Sequence, residues 1–409
     1  MMGCPAGGFA AEIVIVAVQI AVILVVTKLC GWVLGHVGQP RVVGEIAGGL
    51  LLGPLVFGHY FPAASARVFP PGCLQGLETV SYVGLVLFLL TIGAEVDEGP
   101  ASWRASLAIT VGSIAVPFVL GVGLAGMLPR AEGVSRVGFC LFVGIAMSIT
   151  ALPVLARIIQ ERRATGRAVD PGTASIALVC AAGNDVVAWA LLAVTLEIVH
   201  GGGWVGVSTR LVLLAGFVGV MLLGVRPMAA RVAGRGPLWV WIAGMVVVAF
   251  GSARLTEMLG VHAFFGAFLA GVCVPWTKAL EEGSKRVLQP LIAVGLPLFF
   301  AMTGLRAQRE MFSRSALGWL AVVLMVAVVG KVWGSALGAR VSGVSWKTAA
   351  EIGVLMNTRG LVELVVLNIG YKEGILSPLL FTVFVLMAVV TTGMTVPLLG
   401  VVRRVGLTE

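Results

Sequence analysis

Charge is the scarcest property of this chain. Asp, Glu, Lys and Arg together make up only 11% of its residues, against about 25% in a typical soluble domain. With 59% hydrophobic residues as well, there is too little polar surface to face water, which excludes a soluble enzyme or nucleic-acid-binding module and leaves a membrane protein. The formal net charge of +9 does not point to nucleic acid either, because Lys and Arg cluster in short connections between apolar runs, where they orient a protein in the bilayer. Chemical signatures are missing too. The six cysteines (Cys4, Cys30, Cys73, Cys140, Cys180, Cys273) are scattered, with no CxxC and no His/Cys cluster, so neither a disulfide framework nor a zinc site is expected. There is no Walker A and no HExxH, so ATP-driven transport and metalloprotease chemistry have no support, and no cofactor is expected. The N-terminus has no basic region before its long apolar run, which reads as a first span rather than a cleaved signal. No span-free stretch, including the short tail, is long enough for a soluble regulatory domain.

What the chain does have is apolar runs of membrane-crossing length. They predict an all-α polytopic membrane protein with about thirteen transmembrane helices. The runs lie near 12–35, 41–58, 76–95, 103–128, 135–159, 172–198, 204–225, 237–257, 261–276, 287–305, 315–338, 347–371 and 378–401. One set of connections carries Arg157, Arg162, Arg163 and Arg167, then Arg226, Arg231 and Arg235, then Lys278, Lys285 and Arg286, then Arg340 and Lys347, and the tail Arg403 and Arg404. The opposite set holds fewer: Arg67, Arg130, Arg136, Arg306, Arg309, Arg314 and Lys372. The bias predicts the N-terminus outside and the C-terminus in the cytoplasm. Most of the 55 glycines are expected where helices pack closely.

One acid stands alone inside an apolar run, Asp185, in the stretch from Ile176 to Val194. A charge at mid-bilayer costs at least ~2.5–3.5 kcal/mol on insertion scales, so such residues usually face a cavity and bind or move something. Asn184 beside it supplies a neutral oxygen. The pair suits a proton or a small cation. Structural alternatives are an Asp185 paired with Lys331 or Arg359, and an Asn184 that merely bonds a neighbouring helix.

Two spans are expected to be interrupted. The first reads Ala146-Met-Ser148-Ile-Thr150-Ala-Leu-Pro153-Val-Leu-Ala-Arg157, where Pro153 removes a backbone donor and clashes with the preceding turn. Ser148 and Thr150 can satisfy freed backbone groups or bind an ion. The second reads Gly353-Val-Leu-Met-Asn357-Thr358-Arg359-Gly360-Leu-Val-Glu363. The two are seven spans apart, the arrangement of a duplicated, inverted transporter with a broken helix in each half. Arg359 and Glu363, at i, i+4 spacing, are expected to pair with each other. Lys331 sits in a further apolar run and either snorkels or needs a counter-charge. His262, Glu45 and Glu95 read as packing, interfacial or span-end residues.

These segments carry a family resemblance. Gly44-Glu45-Ile-Ala-Gly-Gly-Leu-Leu-Leu-Gly-Pro54, Leu87-Phe-Leu-Leu-Thr-Ile-Gly-Ala-Glu95-Val-Asp97, Ser148 to Arg157, Asn184-Asp185, His262 to Gly271, Leu296 to Leu305 and Met356 to Leu364 resemble, in order and spacing, the monovalent cation:proton antiporter superfamily. The likeness is to the plant-type cation/proton exchanger branch of sodium/hydrogen exchangers and runs over nearly the whole length. The resemblance implies an inverted-repeat antiporter fold in a single transmembrane domain over 1–409. A dimerisation panel covers about 12–95 and 237–305, and a core about 103–198 and 315–401, with two broken helices crossing beside the acid. It implies a secondary transporter, not an enzyme, that exchanges protons for Na+ or K+ by alternating access. Asp185 alternately binds proton and cation, with Asn184, Thr150 and Ser148 at the ion site and Lys331, Arg359 and Glu363 compensating charge. The implied partners are the ions, membrane lipid and a second copy of the chain in the plasma (inner) membrane. Several well-known relatives have two adjacent acids where this chain has Asn184-Asp185, so their proton stoichiometry does not carry over. A passive cation channel and a non-transporting membrane sensor on the same fold are the alternatives.

Overall fold

In the computed structural model the described residues are 9–54, 56–70, 73–93, 103–130, 133–200, 204–232, 235–260, 263–305 and 314–404. Glu95, Asp97 and His262 lie outside them. The regular secondary structure of the described residues is helical, with no strand among them. In chain order the helices are α1 (Phe9–His36), α2 (Arg41–Leu52), α3 (Phe57–Tyr60), α4 (Pro62–Val68), α5 (Gln75–Ile92), α6 (Trp103–Ala125), α7 (Arg136–Ser148), α8 (Leu152–Ala164), α9 (Pro171–His200) and α10 (Trp204–Gly219). A π-helical turn (Val220–Val225) leads into α11 (Arg226–Val232). There follow α12 (Leu238–Met258), α13 (Ala263–Cys273), α14 (Lys278–Leu305), α15 (Arg314–Val341), α16 (Trp346–Met356), α17 (Leu361–Lys372) and α18 (Pro378–Arg404).

Among the described residues eleven segments are long and apolar enough to cross a membrane, making this an integral, multi-pass membrane protein. The expected count of thirteen is not reached by that measure. Ala263–Cys273 is an apolar helix of only 11 residues, and the run at 347–371 divides into α16 and α17, 11 and 12 residues long. The cysteines also differ from expectation. Cys73 is disulfide-bonded, which its isolated position in the sequence gave no reason to foresee; Cys30, Cys140, Cys180 and Cys273 are free.

The helices pack in two groups. One joins α1, α2, α5, α12, α13 and α14; the other joins α6, α7, α9, α15, α16 and α18. Glycines set the closest approaches. In the first group an added Cβ on Gly84 would strike the backbone of Gly295, and one on Gly49 the backbone of Ala301. In the second, α15 lies along α6 with Gly330 against Pro117, Gly334 against Gly112 and Gly338 against Ala108. Without a hydrophobic drive between helices in lipid, such small-residue contacts, which maximise dispersion between backbones, are how membrane helices associate.

Both predicted interruptions are present. α7 stops at Ser148, Ile149 turns extended (φ −67°, ψ 139°), and α8 restarts at Leu152 with Pro153 in its first turn. A proline there fits, since its missing N–H is one a helix start leaves unbonded anyway. α16 stops at Met356, and α17 restarts after Gly360. Gly360 is extended, a conformation any residue adopts; its glycine is needed for space, because a Cβ would come within 2.5 Å of Val154 Cγ2. The two breaks therefore pass directly over each other.

Candidate functional site

At the crossing, the breaks satisfy each other's backbone. The Ala151 N–H donates to Thr358 O (3.0 Å), and Thr150 Oγ1 donates to Met356 O (2.9 Å). These bonds matter because an unmade backbone hydrogen bond costs several kcal/mol where no water is at hand. α9 runs alongside and delivers Asn184 and Asp185, both buried. Asn184 is fully engaged: its Nδ2 donates to Thr150 Oγ1 (3.1 Å), and its Oδ1 accepts from Ser113 Oγ of α6 (3.0 Å). Asp185 is the opposite. It is 2% exposed, lies beside the Leu152 N–H at the start of α8, and neither carboxylate oxygen has a hydrogen-bond partner.

The carbonyl end of α7 carries the opposite partial charge, because its last C=O groups have no intrahelical partner. Two cations from distant parts of the chain meet it. Arg359 Nη1 donates to Ala146 O (2.7 Å) and Nη2 to Met147 O (2.6 Å). Lys331 Nζ donates to Ser148 O and to Ser113 O (2.9 Å). Arg359 also forms the expected pair with Glu363, at 3.0 Å with both side chains fully buried. Lys331 does not pair with Asp185: it acts on that carboxylate electrostatically, yet among the described residues the two form no ion pair. The first break thus has cations on its carbonyl end and a carboxylate on its N–H end.

The predicted residues are accordingly gathered around one point, though not all in the same manner. Thr150 bridges Asn184 to the second break. The Ser148 hydroxyl turns back to Gly144 O (2.8 Å) and Ile114 O (3.1 Å), and it is its backbone oxygen that meets Lys331. Glu45 lies elsewhere, with Arg157 Nη2 at 3.5 Å. Two features escape sequence reasoning. Ser113 ties α6 to Asn184 by its hydroxyl and to Lys331 by its carbonyl. On α18, Thr392 accepts from the Arg359 N–H (3.1 Å) and donates to Arg359 O (2.6 Å), Thr395 meets Thr358 (3.3 Å), and Asn357 reaches Thr391 O (3.5 Å). The spacing of Thr391, Thr392 and Thr395 in an apolar run was the available signal, since i, i+1 and i+4 lie on one helix face.

The site can do limited chemistry. It has no nucleophile with a paired base, and no group of three or more His, Cys, Asp or Glu exists among the described residues. Its distinctive group is a buried carboxylate with no hydrogen-bond partner on either oxygen, beside the Leu152 N–H. Such a group accepts a proton or coordinates a small cation.

The family described as "Sodium/hydrogen exchanger, transmembrane" matches residues 22–401. The chain is 37% identical over 406 residues to Cation/H(+) antiporter 17 of Arabidopsis thaliana, covering 95% of this chain and 48% of that protein. It is 33% identical over 403 residues to the Na(+)/H(+) antiporter NhaS4 of Synechocystis sp., covering 94% and 96%. The chain thus spans about half the length of the plant relatives it matches and nearly all of the cyanobacterial one. Among solved structures, the sodium proton antiporter MjNhaP1 from Methanocaldococcus jannaschii shares the fold, with a TM-score of 0.62 over 93% of this chain and 98% of that one at 16% identity. On the extent of the family match and the identity to a relative covered almost end to end, the chain belongs to the transmembrane sodium/hydrogen exchanger family.

Proposed function

We propose that this protein is a secondary antiporter that exchanges protons for a monovalent cation, Na+ or K+, with Asp185 as the shared carrier. The observation that carries the reading is Asp185 itself: a buried carboxylate whose two oxygens are left without partners while every other polar group of the crossing is at least partly engaged. One carboxylate cannot productively hold a proton and a cation together, so each displaces the other, and that competition couples the two flows. The Asn184 carbonyl and the Thr150 hydroxyl are the neighbouring neutral oxygens. Lys331, Arg359 and Glu363 balance the helix ends of the breaks. The names of the relatives, a cation/H(+) and a Na(+)/H(+) antiporter, support the same class of exchange.

Transport needs the site to open to each side in turn. The two packing groups support a division of labour: helices within about 12–95 and 237–305 as a panel, and those within about 103–198 and 315–401 as a core that carries the crossing past it. In this reading the panel also forms a homodimer, and the basic connections face the cytoplasm of a plasma (inner) membrane. The test is a proteoliposome assay with an entrapped pH-sensitive dye. An imposed Na+ or K+ gradient moves protons in the wild type, and Asp185→Asn abolishes the movement in a protein that still purifies as a folded species. Undiminished cation-driven proton flux in Asp185→Asn overturns the assignment; cation current without proton movement identifies a channel. A monomer in native mass spectrometry and in-membrane cross-linking removes the dimer.

A further inference from the structure

A cleft of about 680 Å³ opens between the turn joining α1 to α2 and the last turns of α8. Its charged lining is Arg41, Arg157, Arg162 and Arg167 against one carboxylate, Glu161. That carboxylate is already committed: Oε1 lies 3.1 Å from Arg157 Nε, and Oε2 accepts the Arg41 backbone N–H at 2.6 Å. Arg157 in turn also reaches Glu45. Arg162 has no such arrangement. It is 8% exposed, its Nε is buried without a partner, and its guanidinium makes no hydrogen bond or ion pair among the described residues. Its charged surroundings are two like charges, Arg403 and Arg167, and the carboxylate of Glu351. Arg403 holds that carboxylate through Nε at 3.1 Å and also donates from Nη1 to Arg167 O and from Nη2 to Ala168 O.

A buried guanidinium without a hydrogen-bonded acceptor is costly. Position alone offsets part of that cost, since Arg162 stands in the last turn of α8, where the helix favours a cation. That offset provides no acceptor for its N–H groups. The remaining lining, basic and rich in donors, is equally unsuited to collecting cations. We propose that this cleft binds a phosphate-class anion, gripped by the Arg162 guanidinium with Arg167 and Arg41 at its rim. A guanidinium fork matches phosphate oxygens two at a time, and Arg is favoured over Lys wherever that geometry counts. The phosphate comes either from a lipid headgroup at the membrane surface or from solution; the chemistry is the same. Seated there, it ties the α1–α2 turn to α8 and lowers the positive potential at this mouth.

The proposal does not depend on the transport reading, because binding is measured without transport. The intact protein is placed in nanodiscs of phosphatidylcholine alone or with phosphatidylglycerol, and its thermal midpoint is followed while inorganic phosphate replaces chloride at constant ionic strength. We expect stabilisation, with the apparent affinity about tenfold weaker in Arg162→Ala, the loss of roughly one charge-assisted contact. A rise with inorganic phosphate in neutral discs that Arg162→Ala weakens assigns a soluble phosphate. A rise only in phosphatidylglycerol discs, weakened likewise, assigns the lipid headgroup. If Arg162→Ala does not fold, Arg162→Lys and Arg167→Ala take its place with the same expected weakening. No stabilisation by either probe, or stabilisation that these variants leave unchanged, overturns the proposal.

Discussion

The two broken helices reach the same shape from opposite chemistry. The α7–α8 break is short and brings no charge of its own between Ser148 and Leu152; its carbonyl end is capped entirely by Arg359 and Lys331, from elsewhere in the chain. The α16–α17 break is longer, carries its own cation and acid in Arg359 and Glu363, and rests its backbone on threonines of α18. One break receives charge and the other supplies it. Asp185 stands on the receiving side, beside the start of α8. The difference teaches that an inverted architecture need not be symmetric in energetics: the second break leaves single atoms unbonded on groups that are otherwise engaged (Asn357 Oδ1, Arg359 Nε, Glu363 Oε2), whereas on the receiving side the Asp185 carboxylate has no hydrogen-bond partner on either oxygen.

The contrast can be broken most forcefully at Arg359. Arg359→Ala removes two of the three side-chain caps on α7, those on Ala146 O and Met147 O, and leaves Glu363 buried without its partner, a loss of ~3–5 kcal/mol; a thermal midpoint in nanodiscs near that of the wild type would show that the second break does not hold the first in place. Lys331→Ala should cost less, ~1.5–3 kcal/mol for hydrogen bonds from a charged donor, because Lys331 caps one carbonyl of α7 and forms no ion pair with Asp185. A Lys331→Ala loss as large as that of Arg359→Ala would mean that the two cations share the task equally. Gly360→Ala sharpens the steric side: its methyl group meets Val154, so the breaks must separate, at a cost of ~1–3 kcal/mol for overpacking, and cation-driven proton flux should fall with stability. Flux that persists at wild-type level would show that the close approach is not required. The smallest effect is expected from Thr392→Val, which removes the side-chain support of the Arg359 backbone while keeping shape, at ~1 kcal/mol. Unfolding measured alongside Thr150→Val compares the two breaks directly, since Thr150 makes the corresponding bond to Met356.

Much of the arrangement around this site is legible in the sequence. Asp185 was visible because a lone acid in an apolar run is costly, the first interruption because Pro153 cannot continue a helix, and the second because five polar or flexible residues fall within seven positions. The Arg359–Glu363 pair followed from helical spacing alone. What stayed hidden depends on contacts between distant segments. Nothing near Arg359 says that its guanidinium will meet carbonyls at Ala146 and Met147, over two hundred residues away, because that follows from how the breaks cross. Ser113 was invisible for the same reason: a serine in an apolar helix usually bonds its own turn, and this one also does so, to Thr110 O at 3.0 Å. The pairing of Lys331 with Asp185 was a reasonable charge balance that the geometry replaces with backbone carbonyls.

The glycine seam between α6 and α15 has a mechanical consequence. Gly330, Gly334 and Gly338 press on the α6 backbone at intervals of four, so α15 is keyed against α6 like a spline in its groove: turning it about its own axis would drive a side chain into the neighbouring main chain. Lys331 follows Gly330 on this keyed helix, and its ammonium grips Ser113 of α6 and Ser148 at the end of α7. The lysine is thereby a rivet rather than a lever. Any displacement of the first break would have to carry α6 and α15 with it as one solid piece.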